Sequence, residues 1–214
     1  TLTGRRCRVI IESDVDRDGV RVMGVGRGGG SAAAILCVAV VCGTAWGSAA
    51  GSGLPLTKRV LKAGELAGMK PSPSPKVVSS AAAWAQDGGP VDETMLRRWG
   101  FVAGIAEQMV TPGNPNRYGL SAVVEFSPAA SAKADVKAFY TSNGPWTRFA
   151  VSGIPSAVGF EQSGSGMGGR NVGFSVGPYA YTVGVGWQAR AKNAVWVTAL
   201  RNAALLLYHR VSAG

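Results

Sequence analysis

Four carboxylates fall within segments of regular apolar period, Glu107, Glu125, Asp135 and Glu161. Two of them facing one cleft would serve as acid and base on a glycosidic bond, the chemistry of a cell-wall glycan hydrolase. Each also reads as a solvent-facing charge, Glu125 on the outward side of an alternating run and Asp135 beside Lys133 on a helix surface. His209, the only histidine, lies in the last turn of a predicted helix, where the terminal carbonyls favour a cation. No GxSxG elbow is present to give it a serine nucleophile, so a Ser-His-Asp mechanism is not expected. All three cysteines, Cys7, Cys37 and Cys42, precede residue 51, which leaves the chain beyond them without thiol chemistry, disulfides or zinc-thiolate ligation. No catalytic residue, metal site or cofactor is therefore assigned.

Two glycine patterns imitate nucleotide motifs. Gly24, Gly26 and Gly29 stand between a strand-like run and a helix-like one, as a dinucleotide fingerprint requires. The helix-like run is apolar on every side, however, and the next acid, Glu65, is too distant to meet a ribose. Gly164, Gly166 and Gly169 lie between two strand-like runs with no helix N-terminus to hold phosphate, so they read as a hairpin loop.

A binding surface is better supported by the pattern near the C-terminus. Val172, Phe174 and Val176, then Tyr179, Tyr181, Val183, Val185 and Trp187, share one strand face. The opposite face carries only Asn171, Gly173, Ser175, Ala180, Thr182, Gly184 and Gly186. Such a bare face lets a flat partner lie close, and Arg148 or Arg170 beside it would meet an anionic group. The candidate binding residues are thus Arg148, Arg170, Asn171, Ser175 and Thr182.

The elements that must hold these residues follow from period and punctuation. A helix is expected from an Asp92 N-cap through Met95, Trp99, Val102, Ala106 and Met109 to the stop at Pro112-Gly113. Residues 119–127 alternate as a strand. Ser127-Pro128 then opens a helix along Ala129, Ala132, Val136 and Phe139, which ends at Asn143-Gly144-Pro145. Strands are expected at 148–152, 157–163, 170–176 and 179–187, joined by short turns into an antiparallel meander. A closing helix over 192–211 covers the aromatic face. The expected fold is α+β, an antiparallel sheet of about five strands with helices on one face, in the order α-β-α-β-β-β-β-α.

Upstream, residues 31–50 form an uncharged apolar segment whose strongly apolar core, 32–42, is about 16 Å long as a helix against about 30 Å of bilayer hydrocarbon. That is the length of a signal-peptide core, and Ser48 and Ala50 suit cleavage before Gly51. An uncleaved anchor spanning all of 31–50 is the alternative. Residues 1–30 are read as a non-domain stretch, 51–78 as a basic linker with prolines at 71, 73 and 75, and 79–214 as an extracytoplasmic domain, secreted or membrane-anchored. The net charge of +10 resides mainly in residues 51–214, with sixteen Lys and Arg against eight acids. The basic residues are scattered and not interleaved with aromatics, which argues against nucleic acid. The partners expected are an anionic lipid or an acidic wall polymer, with membrane contact through 31–50 if that segment stays uncleaved. The functional expectation is a non-catalytic binding or envelope-associated domain, with the glycan hydrolase and a structural envelope protein as alternatives.

The runs Gly100-Phe101, SAVVEFSPAASAKADV (121–136), FAVSGIPSAVGF (149–160), NVGFSVGPYAYTVGVG (171–186) and ALLLYHRV (204–211) resemble exported proteins of uncharacterised function from high-GC Gram-positive bacteria. The resemblance covers about the last half of the chain and implies export and fold, with no activity or catalytic residue.

Overall fold

The computed structural model describes residues 53–72, 75–86, 91–141, 147–163, 167–188 and 194–213. The apolar segment 31–50, the stretch before it with its glycine motif, and Gly164–Gly166 of the second motif lie outside the described residues. Residues 51–214 form a compact unit of their own, and the strand pairs and buried clusters of the described residues lie within it.

The sheet is antiparallel with seven strands, against the five expected, in the order β1-β2-β3-β7-β6-β5-β4. The strands are β1 (Lys70–Pro71), β2 (Phe101–Thr111), β3 (Asn114–Phe126), β4 (Thr147–Phe149), β5 (Val158–Ser163), β6 (Met167–Val176) and β7 (Tyr179–Gln188). Among the described residues four α-helices accompany them: α1 (Ala81–Gln86), α2 (Glu93–Arg98), α3 (Ala130–Thr141) and α4 (Ala194–Ser212).

The long helix expected from Asp92 to Met109 is two elements. Asp92 does cap the start, its carboxylate accepting from the Met95 N–H at 2.8 Å. The helix then stops at Gly100, whose φ of +70° is left-handed and whose missing side chain makes room for the Ser127 carbonyl. Beyond it Ile105, Glu107 and Met109 are buried while Ala106, Gln108 and Val110 are exposed, the period of two that defines a strand. The Met95–Met109 spacing fits both periods in part. The turn at Gly100 decides between them. α3 starts at Ala130, two residues beyond the Ser127-Pro128 start.

Both sheet faces carry helices, a departure from the single covered face expected. On the aromatic face, Val172, Phe174, Tyr181, Val183 and Trp187 pack under Trp196, Leu200, Ala203, Leu207 and Val211 of α4. Phe174 stacks on Tyr181 with centroids 4.9 Å apart. Each large side chain fully buried here contributes about 1.5–3 kcal/mol. On the other face, Val124, Phe126, Phe160 and Ala180 pack against Leu96 of α2 and Ala132 and Val136 of α3. Ser121 and Val123, which share a strand face with Glu125, are buried on the α4 side.

The stretch read as a linker is built into the fold. Val60, Leu61, Leu66 and Met69 belong to the α4-side core. Arg59, buried, donates to the Tyr181 hydroxyl at 2.9 Å and lies 3.7 Å over the Tyr179 ring. Burial pushes the Tyr181 hydroxyl up to about 12, even though Arg59 favours its ionisation. Arg210 of α4 pairs with Glu65 and donates to the Val60 carbonyl. The first of the prolines that suggested an extended tether lies on the sheet edge instead: Lys70 and Pro71 pair with Val110 and Met109, and Ser72 N–H donates to the Gln108 carbonyl at 2.7 Å. An edge strand is the place in a sheet where proline fits, because its missing N–H faces away from the ladder.

Candidate functional site

The α3 helix lies across the sheet on Ala132 and Val136, and helical spacing turns Lys133 and Lys137, four residues apart, toward one flank. Beneath that flank run β5 and β6. Arg148 of β4 is in register with Phe160 of β5, and Ser175 of β6 is in register with Ala180 of β7. These pairings place Arg148 and Ser175 on the α3 side of the sheet. The loop from β4 to β5 is tied down by Ile154, 4% exposed, and brings Ser156 to the same place. Ser156 adopts φ +57°, a left-handed conformation that a residue with a side chain takes only where its surroundings impose it.

Together Lys133, Val136, Lys137, Arg148, Ser156, Val158 and Ser175 enclose a cavity of about 170 Å³. Three cations from two elements surround it, two hydroxyls offer donors, Val136 and Val158 form an apolar floor, and no acid among the described residues lines it. The cations are exposed at the mouth. Such a lining complements a small anionic group attached to a compact apolar or ring-shaped body.

Two of the five residues expected to bind, Arg148 and Ser175, meet in this cavity. Asn171 and Thr182 lie on the same sheet face, further from it. The Asn171 side chain rests over Gly184, as the Tyr118 ring does over Gly186, so these glycines house neighbouring side chains. Arg170 lies on the opposite face, as strand alternation requires of the residue next to Asn171. Its guanidinium pairs with Glu161 at 2.5 Å and sits 5.0 Å from the Phe149 ring. Lys133, Lys137 and Ser156 were missed. The i, i+4 lysine pair was legible as one flank of a helix, but nothing in the sequence told which strands that flank faces.

The carboxylates do not converge on the cavity. Glu161 is held by Arg170. Glu107 pairs in register with Ser121 and Glu125 with Ala103 and Tyr179, four positions apart along β3, or about 13 Å. Burial raises Glu107 above the ordinary carboxylate range. Asp135 occupies the flank of α3 away from Lys133 and Lys137, and burial lifts it to about 7. Among the described residues no group of three or more His, Cys, Asp or Glu is placed to hold a metal ion, and no helix is long and apolar enough to cross a membrane.

No family model matches the chain, and a search of curated proteins found no match. Among solved structures, the extracellular domain of PknH from Mycobacterium tuberculosis is similar in fold, with a TM-score of 0.51 at 16% identity over 74% of this chain and 95% of that one. At that identity the likeness is one of fold.

Proposed function

We propose that residues 51–214 form a non-catalytic, extracytoplasmic domain that binds a small anionic group in the cavity between α3 and β4–β6. The observation that carries this reading is the convergence of Lys133, Lys137 and Arg148 with the Ser156 and Ser175 hydroxyls on one cavity. Charge-assisted hydrogen bonds from two elements fix an anion's position as well as attract it. The volume exceeds what a bare oxyanion fills and is comparable to a cavity that holds one six-membered ring, about 150 Å³. An extracytoplasmic location is supported by the apolar segment 31–50 and by the fold likeness to an extracellular domain.

Isothermal titration of residues 51–214 with glycerol phosphate tests this. Saturable binding is expected, weakened about tenfold or more by Lys133→Ala or Arg148→Ala, the scale of one charge-assisted hydrogen bond. Absence of binding, or binding unchanged in both variants, would refute the assignment.

A further inference from the structure

The cavity lies at one end of the sheet, and the register shows what shares that end. β6 finishes there at Val176 and β7 begins at Tyr179, with β3 finishing alongside at Phe126, whose N–H donates to the Pro178 carbonyl. Val158 of the cavity opens β5 at the same end, paired with Gly173. The C-terminus of α2 is brought there by Ser127 N–H donating to the Gly100 carbonyl at 2.8 Å, which presents Arg97 and exposed Arg98. On the aromatic side the chain enters the domain at the same end. Arg59, seated on Tyr179, donates to the Leu54 carbonyl at 2.7 Å, and exposed Lys58 adjoins it. The acids nearby are largely engaged: Glu93 pairs with Arg97 and Glu65 with Arg210, while Glu125 is half-buried.

We propose that this end of the domain docks on an anionic lipid bilayer, with a phosphate-bearing headgroup entering the cavity. The inference rests on the anion-binding reading above and specifies its source. Lys58 ahead of β1, Arg97 and Arg98 of α2 and Lys133 of α3 are spread over this end of the sheet, with Lys133 alone among them lining the cavity, and such a spread suits a surface carrying many phosphates better than a single soluble anion. In the sequence only residues 51–53 separate the apolar segment from Leu54. A chain held in a bilayer by 31–50 would therefore meet that bilayer from the end where Leu54 is fixed. The apolar floor of Val136 and Val158 suits the glycerol portion of a headgroup.

Residues 51–214, checked for folding by circular dichroism, are mixed with sedimenting vesicles of phosphatidylglycerol and phosphatidylcholine in equal parts, and with vesicles of phosphatidylcholine alone. Binding to the mixed vesicles alone is expected, falling with added salt. Lys58→Ala and Arg98→Ala, which lie outside the cavity, should each lower the partition coefficient about fivefold and leave titration with glycerol phosphate unchanged. Lys133→Ala should weaken both. If glycerol phosphate binds but mixed vesicles do not, or if Lys58→Ala and Arg98→Ala leave vesicle binding intact, the docking proposal falls and the anion site stands. If neither ligand binds, both fall.

Discussion

Arg148 and Arg170 show how far a single residue's role depends on which way its strand faces. Both were candidates because both sit beside a bare sheet face, yet Arg148 reaches the cavity and Arg170 points to the opposite side, onto Glu161 and Phe149. Alternation alone places Arg170 opposite Asn171, so this correction was legible in the sequence. The seating of Arg148 under α3 was not, because it depends on which strands the helix crosses. Arg170→Ala is therefore expected to leave glycerol phosphate affinity within about twofold while lowering stability through the loss of a partly buried pair, by roughly 1–3 kcal/mol in a urea melt. Asp135 gives a prediction with a defined sign. Burial raises it from the ordinary 3.8 to about 7, so the folded state holds a proton that the unfolded chain releases. That contribution favours the fold fully below about pH 4 and is lost as the pH rises to about 7. Asp135→Asn, which cannot ionise, should stabilise the domain at pH 8 by roughly 2–4 kcal/mol relative to wild type, with little difference at pH 4. A pH series of thermal melts would show the two curves converging toward acid.

At the scale of elements, the sequence was clearest where period and punctuation agreed. β3, β5, β6, β7 and α4 lie within a few residues of their expected positions, because each alternation or helical spacing ends at a turn that only one conformation satisfies. β2 was misread because Met95, Trp99, Val102, Ala106 and Met109 keep helical spacing across Gly100, where the chain in fact reverses. Gly100→Ala tests that turn. A side chain there would strain the left-handed backbone and meet the Ser127 carbonyl, so a loss of at least about 2 kcal/mol is expected. A helix running through Gly100 would instead be stabilised by alanine. The segment before α1 was misread because its prolines outweighed the apolar residues ahead of them. Leu66 is fully buried, and Leu66→Ala should cost about 2–5 kcal/mol in chemical denaturation. A change within about 0.5 kcal/mol, usual for an exposed linker residue, would contradict the packing described.

At the scale of the whole molecule, the α+β class and the antiparallel meander could be read from the chain, while the number of strands and the sharing of helices between two faces could not. The bare face looked available because its residues are small. Part of it is the seat of α3, and the rest houses Tyr118 and Asn171 over glycines, arrangements set by contacts between residues far apart in sequence. α3 leaves a cavity along its lysine flank, and a net surplus of basic residues in 51–214 supplies the field that draws an anion toward it. The most direct test is a two-dimensional amide NMR titration of residues 51–214 with glycerol phosphate. Saturable shifts should concentrate at Lys133, Lys137, Ser156, Val158 and Ser175. Shifts confined to the α4 side, or none at millimolar ligand, would contradict the account.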